Sequence, residues 1–205
     1  MARVDDYLNA KKLAVSELAG MDVDAMVQGA GLEKIDGHNV GVPFLDHRYR
    51  ITCPAYEFFD ETQPNHQVPI QEQVLILHYI LGTRKKIKLT GNWISYREIP
   101  GASFYFSAFV KRATNPLKKV FGDNPAALKN AAPLIHAQPI DMGDAGYQVA
   151  PLPLVPIQLI IWQGDDEFPS EANILFDESV GDVLSPEDVA WLAGMVVYRL
   201  MALAG

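Results

Sequence analysis

The sequence predicts one α+β domain over residues 1–205, with a mainly antiparallel sheet of about five strands packed against several helices. Three observations support this prediction. The chain length suits one ordinary domain. Helical and alternating apolar patterns both occur. No internal repeat, low-complexity tract or Gly/Ser-rich linker divides the chain. With 49% hydrophobic and 20% charged residues, the chain is too apolar for intrinsic disorder.

The first third of the chain combines helical patterns with short alternating ones. Gly20 and Gly31 each follow a helical pattern and provide its stop signal. The period then changes to two around Asp46 and His47, which predicts a hairpin. The predicted helices cover residues 5–19 and 23–30, and the predicted strands cover residues 39–45 and 48–52.

The middle third contains the strongest candidate for a core helix. Residues 70–81 are apolar on nearly all sides and are followed by Gly82, which is typical of a buried helix. We expect Leu77 within it to be buried. Residues 92–100 predict an irregular or strand-like segment between two glycines. Further helices are predicted at residues 103–113 with Ser103 as the N-cap, after Asn115-Pro116 up to Phe121, and at residues 125–136.

The last third predicts strands followed by a helix. Residues 157–162 are apolar on both faces except at Gln158, as expected of a central strand on which Trp162 is buried. Ser185 followed by Pro186 and two acids is typical of a helix start. The other two strands are predicted at residues 147–152 and 173–177.

Cysteine content and hydropathy exclude several classes of protein. The single cysteine, Cys53, excludes a disulfide framework, a self-contained zinc knuckle and an iron–sulfur cluster held by this chain alone. No spacing among the histidines predicts a metal site. No apolar run approaches a membrane span, and acidic residues come early in the chain, so we expect a cytoplasmic protein without membrane association.

The charge is unevenly distributed along the chain. The net charge is −8, yet residues 84–129 hold ten Lys and Arg against two acids. Such a basic segment is consistent with an anion site, or with surface charges that balance the acidic ends. The acidic remainder disfavours nucleic acid as a partner, because acidic side chains oppose binding to a polyanion.

Residues 91–105 form the most concentrated polar and aromatic segment. An arginine fork beside a helix start, where backbone N–H groups lack partners, suits a carboxylate or phosphate. Aromatic and cationic groups would share one wall if residues 103–113 were helical. The alternative is that Arg97 and Glu98 form structural ion pairs and that Trp93 packs in the core. The candidate ligand-binding residues are Trp93, Arg97, Glu98, Ser103, Tyr105 and Arg112.

Acidic residues near two predicted strands form a candidate metal site. Their carboxylate oxygens would suit calcium or magnesium, but the spacing does not match an EF-hand. A solvated acidic turn is the alternative. The candidate metal ligands are Asp165, Asp166, Glu167 and Asp177.

Four phrases resemble an uncharacterised family of anaerobic bacteria and archaea, classified as a domain of unknown function. They are ILHYIL at residues 76–81, GNWISYREIPG at 91–101, GDDEFP at 164–169 and NILFD at 173–177. The resemblance spans about residues 10–200. The resemblance also implies that some longer relatives carry an added Cys-rich ferredoxin-like segment, which this chain lacks. The resemblance implies an anaerobic, redox or cofactor-linked setting, and it supplies no reaction.

Two functional hypotheses follow, and the first is preferred. In the first hypothesis, the chain is a non-enzymatic binding or accessory module for a small anionic ligand, a cofactor or a redox partner protein. Alternatively, it is a metal-assisted hydrolase or transferase that uses the acidic turn. A homo-oligomer whose apolar helices complete a core across a two-fold axis is a third hypothesis.

Overall fold

The computed structural model describes residues 4–205. Within this range the chain folds into two compact units. Unit 1 contains the chain up to Lys88 together with Leu152–Leu154 and Asp182–Leu184. Unit 2 contains Leu89–Pro151, Val155–Gly181 and Ser185–Gly205. The α+β class is confirmed, because helices accompany an antiparallel sheet in each unit.

Unit 1 combines a four-stranded antiparallel sheet with helices. The sheet order is β1-β2-β3-β4, so each strand pairs with the next one along the chain. Asp22 caps the second helix by accepting a hydrogen bond from the Ala25 N–H at 3.0 Å, and Gly31 ends that helix with φ of 62°. The elements are α1 (Val4–Leu18), α2 (Val23–Ala30), β1 (Glu33–Lys34), β2 (Asn39–Phe44), β3 (His47–Thr52), β4 (Glu57–Asp60) and α3 (Ile70–Gly82).

The predicted hairpin is present, but its turn lies one residue earlier than expected. Phe44 pairs with His47, so Leu45 and Asp46 form the turn and His47 belongs to β3. Leu45 has φ of 55°, a conformation that few leucines adopt. β4 was not predicted, because its four residues are too few to show an alternating pattern.

α3 is the core helix of unit 1, as predicted. Leu77 is fully buried, and its neighbours in the helix are buried on most sides. At the end of the helix, a Cβ on Gly82 would lie 1.8 Å from the Val183 carbonyl oxygen. Glycine is therefore required there for close packing.

Unit 2 contains a five-stranded antiparallel sheet in the order β5-β9-β8-β7-β6. Four strands follow one another as a meander, and β5 joins at the edge beside β9. The strands are β5 (Trp93–Ser95), β6 (Gln138–Ile140), β7 (Ala145–Leu152), β8 (Val155–Trp162) and β9 (Glu171–Asp177). The α-helices that follow α3 are α4 (Phe106–Phe109), α5 (Asn115–Phe121), α6 (Pro125–Ala131), α7 (Val180–Val183) and α8 (Pro186–Ala204).

β8 is the central strand of this sheet, as its apolar run predicts. Its residues are buried from Val155 to Ile161, whereas Trp162 at the strand end is only half-buried. The prediction of a buried Trp162 is therefore wrong, because the residue lies where the sheet gives way to a turn. Ser185 caps α8 as predicted, with its hydroxyl accepting a hydrogen bond from the Asp188 N–H at 3.2 Å.

The helix predicted from Ser103 to Ala113 differs in both start and end. Ser103 lies in a short 3₁₀ helix, Ala102–Phe104, and α4 begins at Phe106 without a side-chain cap. A π-helical turn, Val110–Thr114, then connects α4 to α5, with the Asn115 N–H bonded to the Val110 carbonyl. Pro116 has no N–H to donate, so the wider turn carries the chain past a residue that was expected to break the helix.

Within residues 4–205, no helix is both long enough and apolar enough to cross a membrane.

Candidate functional site

A small cleft in unit 2 lies beside the end of β5. Its volume is about 260 Å³. It combines an arginine, aromatic rings, small polar side chains and part of β9. The lining residues are Ser95, Tyr96, Arg97, Phe106, Phe109, Val110, Thr114, Asn173, Ile174 and Leu175.

Arg97 reaches this cleft from a 3₁₀ helix, Tyr96–Glu98, that begins directly after β5. A capping box fixes the start of this turn, with the Glu98 carboxylate accepting a hydrogen bond from the Ser95 N–H at 2.8 Å. The same backbone bond holds the pKa of Glu98 below its ordinary value. Glu98 thus positions the turn that carries Arg97.

The Arg97 guanidinium stacks on the Phe106 ring, with its Cζ atom 3.7 Å from the ring centroid. Arg97 is exposed, and no carboxylate within residues 4–205 forms a salt bridge with it. A stacked guanidinium keeps its N–H edge available for hydrogen bonds. The arrangement can therefore present a fixed cationic fork to a carboxylate or phosphate.

Packed aromatic rings form part of the cleft wall. Tyr96 and Phe109 stack with centroids 4.1 Å apart, and Phe176 meets Phe109 nearly edge-on at 6.0 Å. The Tyr96 hydroxyl donates to the Pro186 carbonyl at 2.7 Å, and burial raises the pKa of Tyr96 to about 12. Tyr96 is therefore neutral at physiological pH, and its hydroxyl is used in packing.

The other candidate ligand residues lie outside the cleft lining. Trp93 is half-buried on β5, and Ser103 is exposed without capping a helix. Tyr105 hydrogen-bonds Glu187, and the negative charge of Glu187 raises the pKa of Tyr105. Arg112 lies over the Trp191 ring with its Cζ 4.4 Å from the ring centroid. The expected shared wall of Tyr105 and Arg112 depended on a continuous helix from Ser103, which does not form.

The four candidate metal ligands are not brought together. Asp165 follows β8 and Asp177 ends β9, and the antiparallel register places these positions at opposite ends of the strand pair. Asp165 accepts hydrogen bonds from the Phe168 and Glu167 N–H groups at 2.7 and 2.9 Å, which lower its pKa. Asp166 and Glu167 are exposed beside it. Over the described part of the chain, no group of three or more His, Cys, Asp or Glu is placed to hold a metal ion.

Asp177 has a structural role. Asp177 is 2% exposed, and its carboxylate accepts hydrogen bonds from the N–H and hydroxyl groups of Thr90 and Ser179 and from the Gly91 N–H. Burial alone would raise its pKa, but the hydrogen bonds from Ser179 and the backbone lower it. The carboxylate thus ties the segment before β5 to the end of β9.

The basic segment is divided between the two units. Arg84, Lys85, Lys86 and Lys88 belong to unit 1. Arg84 and Lys86 line a separate cavity of about 490 Å³ there. The Arg84 guanidinium donates to the Glu17 carbonyl near the C-terminal end of α1. The helix dipole stabilises a positive charge at that end. Arg84 is therefore engaged in holding a helix end, unlike Arg97.

A polar cluster in unit 1 was not predicted from the sequence. His47 Nδ1 lies 2.9 Å from Oδ2 of the buried Asp60, whose other oxygen accepts two backbone hydrogen bonds at 2.9 Å. Beside this pair, the Tyr49 hydroxyl donates to Glu72 at 2.5 Å. Burial raises the pKa of both Tyr49 and Glu72. His47 and Tyr49 lie on one face of β3, but nothing local in the sequence indicated Asp60 or Glu72 as their partners.

Cys53 is buried, and burial raises the pKa of its thiol. This environment favours the neutral thiol over the reactive thiolate. Cys53 therefore acts as a small buried apolar residue.

Comparison with known proteins gives a family without a reaction. No curated protein and no solved structure matched the chain significantly. A family model described as "Domain of unknown function (DUF3786)" matches residues 22–199, which include both the Arg97 cleft and the acidic turn. The chain therefore belongs to the DUF3786 family.

Proposed function

We propose that the protein is a cytoplasmic module that binds a small anionic ligand in the cleft beside β5. The single observation that carries this proposal is the Arg97 guanidinium, stacked on Phe106 and free of a salt bridge to any described residue. A carboxylate or phosphate group would meet the N–H edge of the guanidinium, while the apolar part of the ligand would contact the rings.

The geometry favours tight orientation of such an anion. The Phe106 ring covers one face of the guanidinium, and the capping box fixes the backbone that carries it. A planar fork held in place loses less side-chain entropy on binding than a free lysine would. Ser95, Thr114 and Asn173 add polar groups around the same space.

The lining supports binding rather than catalysis. It contains no Asp, Glu, His, Cys or Lys, and the Tyr96 hydroxyl is engaged with a backbone carbonyl. General acid–base catalysis needs such a group within reach of the substrate, and a hydroxyl nucleophile such as Ser95 or Thr114 would need a neighbouring base to activate it. The metal-assisted alternative lacks a favourable observation, since its four acids lie at opposite ends of a strand pair.

Thermal unfolding in phosphate and in acetate tests the proposal, with chloride at matched ionic strength as the control. We expect both anions to raise the melting temperature of the wild type saturably, because they bind the native state. Arg97→Lys keeps the charge but loses the fork, so it should lose most of this effect.

Lys111→Gln is the matched control, because it removes an exposed positive charge from the same unit and leaves Arg97 unchanged. If Lys111→Gln weakens the response to the anions more than Arg97→Lys does, diffuse charge attraction explains the response and the proposal fails.

A further inference from the structure

We propose that the ligand of the Arg97 cleft is a small organic acid that has a compact apolar body, about the size of a phenyl ring, and no ammonium group. This inference rests on the proposed function, and it names the chemical class of the ligand.

The volume of the cleft suits a small molecule. It is about 260 Å³, below the roughly 300–1,000 Å³ typical of sites for drug-sized ligands. A dry cavity of about 150 Å³ is large enough to bind benzene. The space beside Arg97 therefore accommodates one ring and a carboxylate, whereas a nucleotide would extend beyond it.

One side of the cleft is formed by residues at helical spacing that start next to Arg97. Phe106, Val110 and Thr114 line it at intervals of four, so successive side chains lie about one turn apart. Phe106 carries the stacked guanidinium, and Val110 comes next. A ligand whose anionic group meets the Arg97 fork would therefore lie with its body against Val110.

The surface that a ligand can reach in the cleft is mainly apolar. Phe106 and Val110 are half-buried, and Leu175 on β9 is half-buried as well. Three other lining residues contribute little to this surface, because each is at most 4% exposed: Tyr96, Phe109 and Ile174. Contact between an apolar ligand body and the half-buried side chains removes both from water, which favours binding in proportion to the area buried.

The lining offers no partner for a positive charge. It contains no Asp or Glu, and Glu98, the residue after Arg97, accepts a hydrogen bond from the Ser95 N–H and does not line the cleft. An ammonium group next to the carboxylate of the ligand would lie close to the Arg97 guanidinium, and the two like charges would repel. Burial of an ammonium without a counter-charge also costs free energy. The cleft should therefore favour simple acids over amino acids.

Compounds that differ by one group test the inference by NMR titration of the full chain at constant ionic strength. Phenylacetate should bind at least about ten-fold more tightly than acetate, because it adds the ring. Phenylacetamide keeps the ring and loses the charge, so it should bind at least about ten-fold more weakly than phenylacetate. Equal affinities in either comparison would overturn the inference.

Phenylglycine and 2-phenylpropanoate test the exclusion of an ammonium group. The two compounds have nearly the same shape, and an ammonium in the first replaces a methyl group in the second. We expect 2-phenylpropanoate to bind about ten-fold more tightly. Phenylglycine that binds equally well or better would show that the cleft accepts amino acids, and the inference would be wrong.

Val110→Thr tests where the ring binds, because threonine keeps the shape of valine and replaces one methyl group by a hydroxyl. The ratio of phenylacetate affinity to acetate affinity should fall about two- to five-fold. Val120→Thr is the matched control, since Val120 is half-buried in the same unit and does not line the cleft. An unchanged ratio in Val110→Thr would contradict a ring placed against Val110.

The Arg97 Nε–H resonance separates failure of this inference from failure of the proposed function. If acetate and phosphate shift it saturably and phenylacetate binds no more tightly than acetate, the inference fails and the proposed function stands. If none of the three compounds shifts it, both fail.

Discussion

Arg97 and Phe106 lie nine positions apart in the chain, yet the guanidinium carbon of one is 3.7 Å from the ring centroid of the other. The contact joins the turn after β5 to the first residue of α4. It orders the one arginine fork in the cleft, so the ring should affect anion binding even without touching the anion.

Phe106→Leu should weaken the binding of phosphate about two- to five-fold. Leucine keeps much of the apolar volume but removes the ring face, and an exposed cation–π contact contributes about 0.5–1 kcal/mol. Isothermal titration calorimetry measures the change. Phe104→Leu is the matched control, since Phe104 is 83% exposed and does not line the cleft. Equal affinities in wild type and Phe106→Leu would mean that the ring does not organise Arg97.

Leu77→Ala should lower the free energy of unfolding by about 2–5 kcal/mol, as expected for a fully buried leucine. Urea titration followed by circular dichroism measures this loss. Leu13→Ala is the control, because Leu13 is 66% exposed and should cost little. A similar loss in both variants would contradict the assignment of α3 as the core helix.

The same experiment tests the prediction of one cooperative domain. All three tryptophans, Trp93, Trp162 and Trp191, lie in unit 2, whereas Leu77 lies in unit 1. If the two units unfold together, Leu77→Ala should shift the tryptophan fluorescence transition as much as the circular dichroism transition. A fluorescence midpoint that does not move would show that the units unfold separately.

Asp177→Asn should destabilise the protein at pH 7 by about 1–3 kcal/mol, because the amide nitrogen would face backbone donors at a buried site. The folded-state pKa of Asp177 is lowered from 3.8, so its contribution is present above pH 3.8 and is lost as pH falls through the folded-state value. The deficit of the variant should therefore shrink in acid. Urea titrations across pH 2–7 measure it; a deficit that stays constant would argue against the lowered pKa.

Glu72→Gln should have the opposite pH dependence. Burial raises the folded-state pKa of Glu72 above its ordinary 4.5, so protonation favours the native state. Stability from this group is present below pH 4.5 and is lost as pH rises through the folded-state value. Wild type should lose stability relative to Glu72→Gln over that range. Glutamine can still accept the Tyr49 hydrogen bond. Parallel curves of unfolding free energy against pH for the two proteins would therefore contradict a raised pKa of Glu72.

Patterns within short segments predicted much of the fold. The apolar run in residues 157–162 predicted the central strand, and the cap at Ser185 predicted the start of α8. The π-helical turn was not foreseen, because the rule that proline breaks a helix is local, whereas Pro116 is accommodated by a change in the preceding turn. Such a change depends on how the helix packs, which the sequence pattern does not reveal.

The candidate site was predictable only in part, because contacts between distant residues depend on packing. Arg97 was identified from its aromatic and glycine-rich surroundings, whereas its contact with Phe106 was not predicted. The pairing of His47 with Asp60 was missed altogether, because strand register brings together residues 13 positions apart. Single-residue chemistry can be inferred from sequence, but which groups meet depends on long-range pairing.

The NMR resonance of the Arg97 Nε–H group tests anion binding at this cleft most directly, and Arg97→Lys identifies it by its disappearance. On titration with phosphate at constant ionic strength, this resonance should shift saturably, and the Nε–H resonances of the other arginines should change little. Chloride should not reproduce the shift. An Arg97 resonance that stays in place, or that moves without saturation together with the other arginines, would contradict an anion site at Arg97.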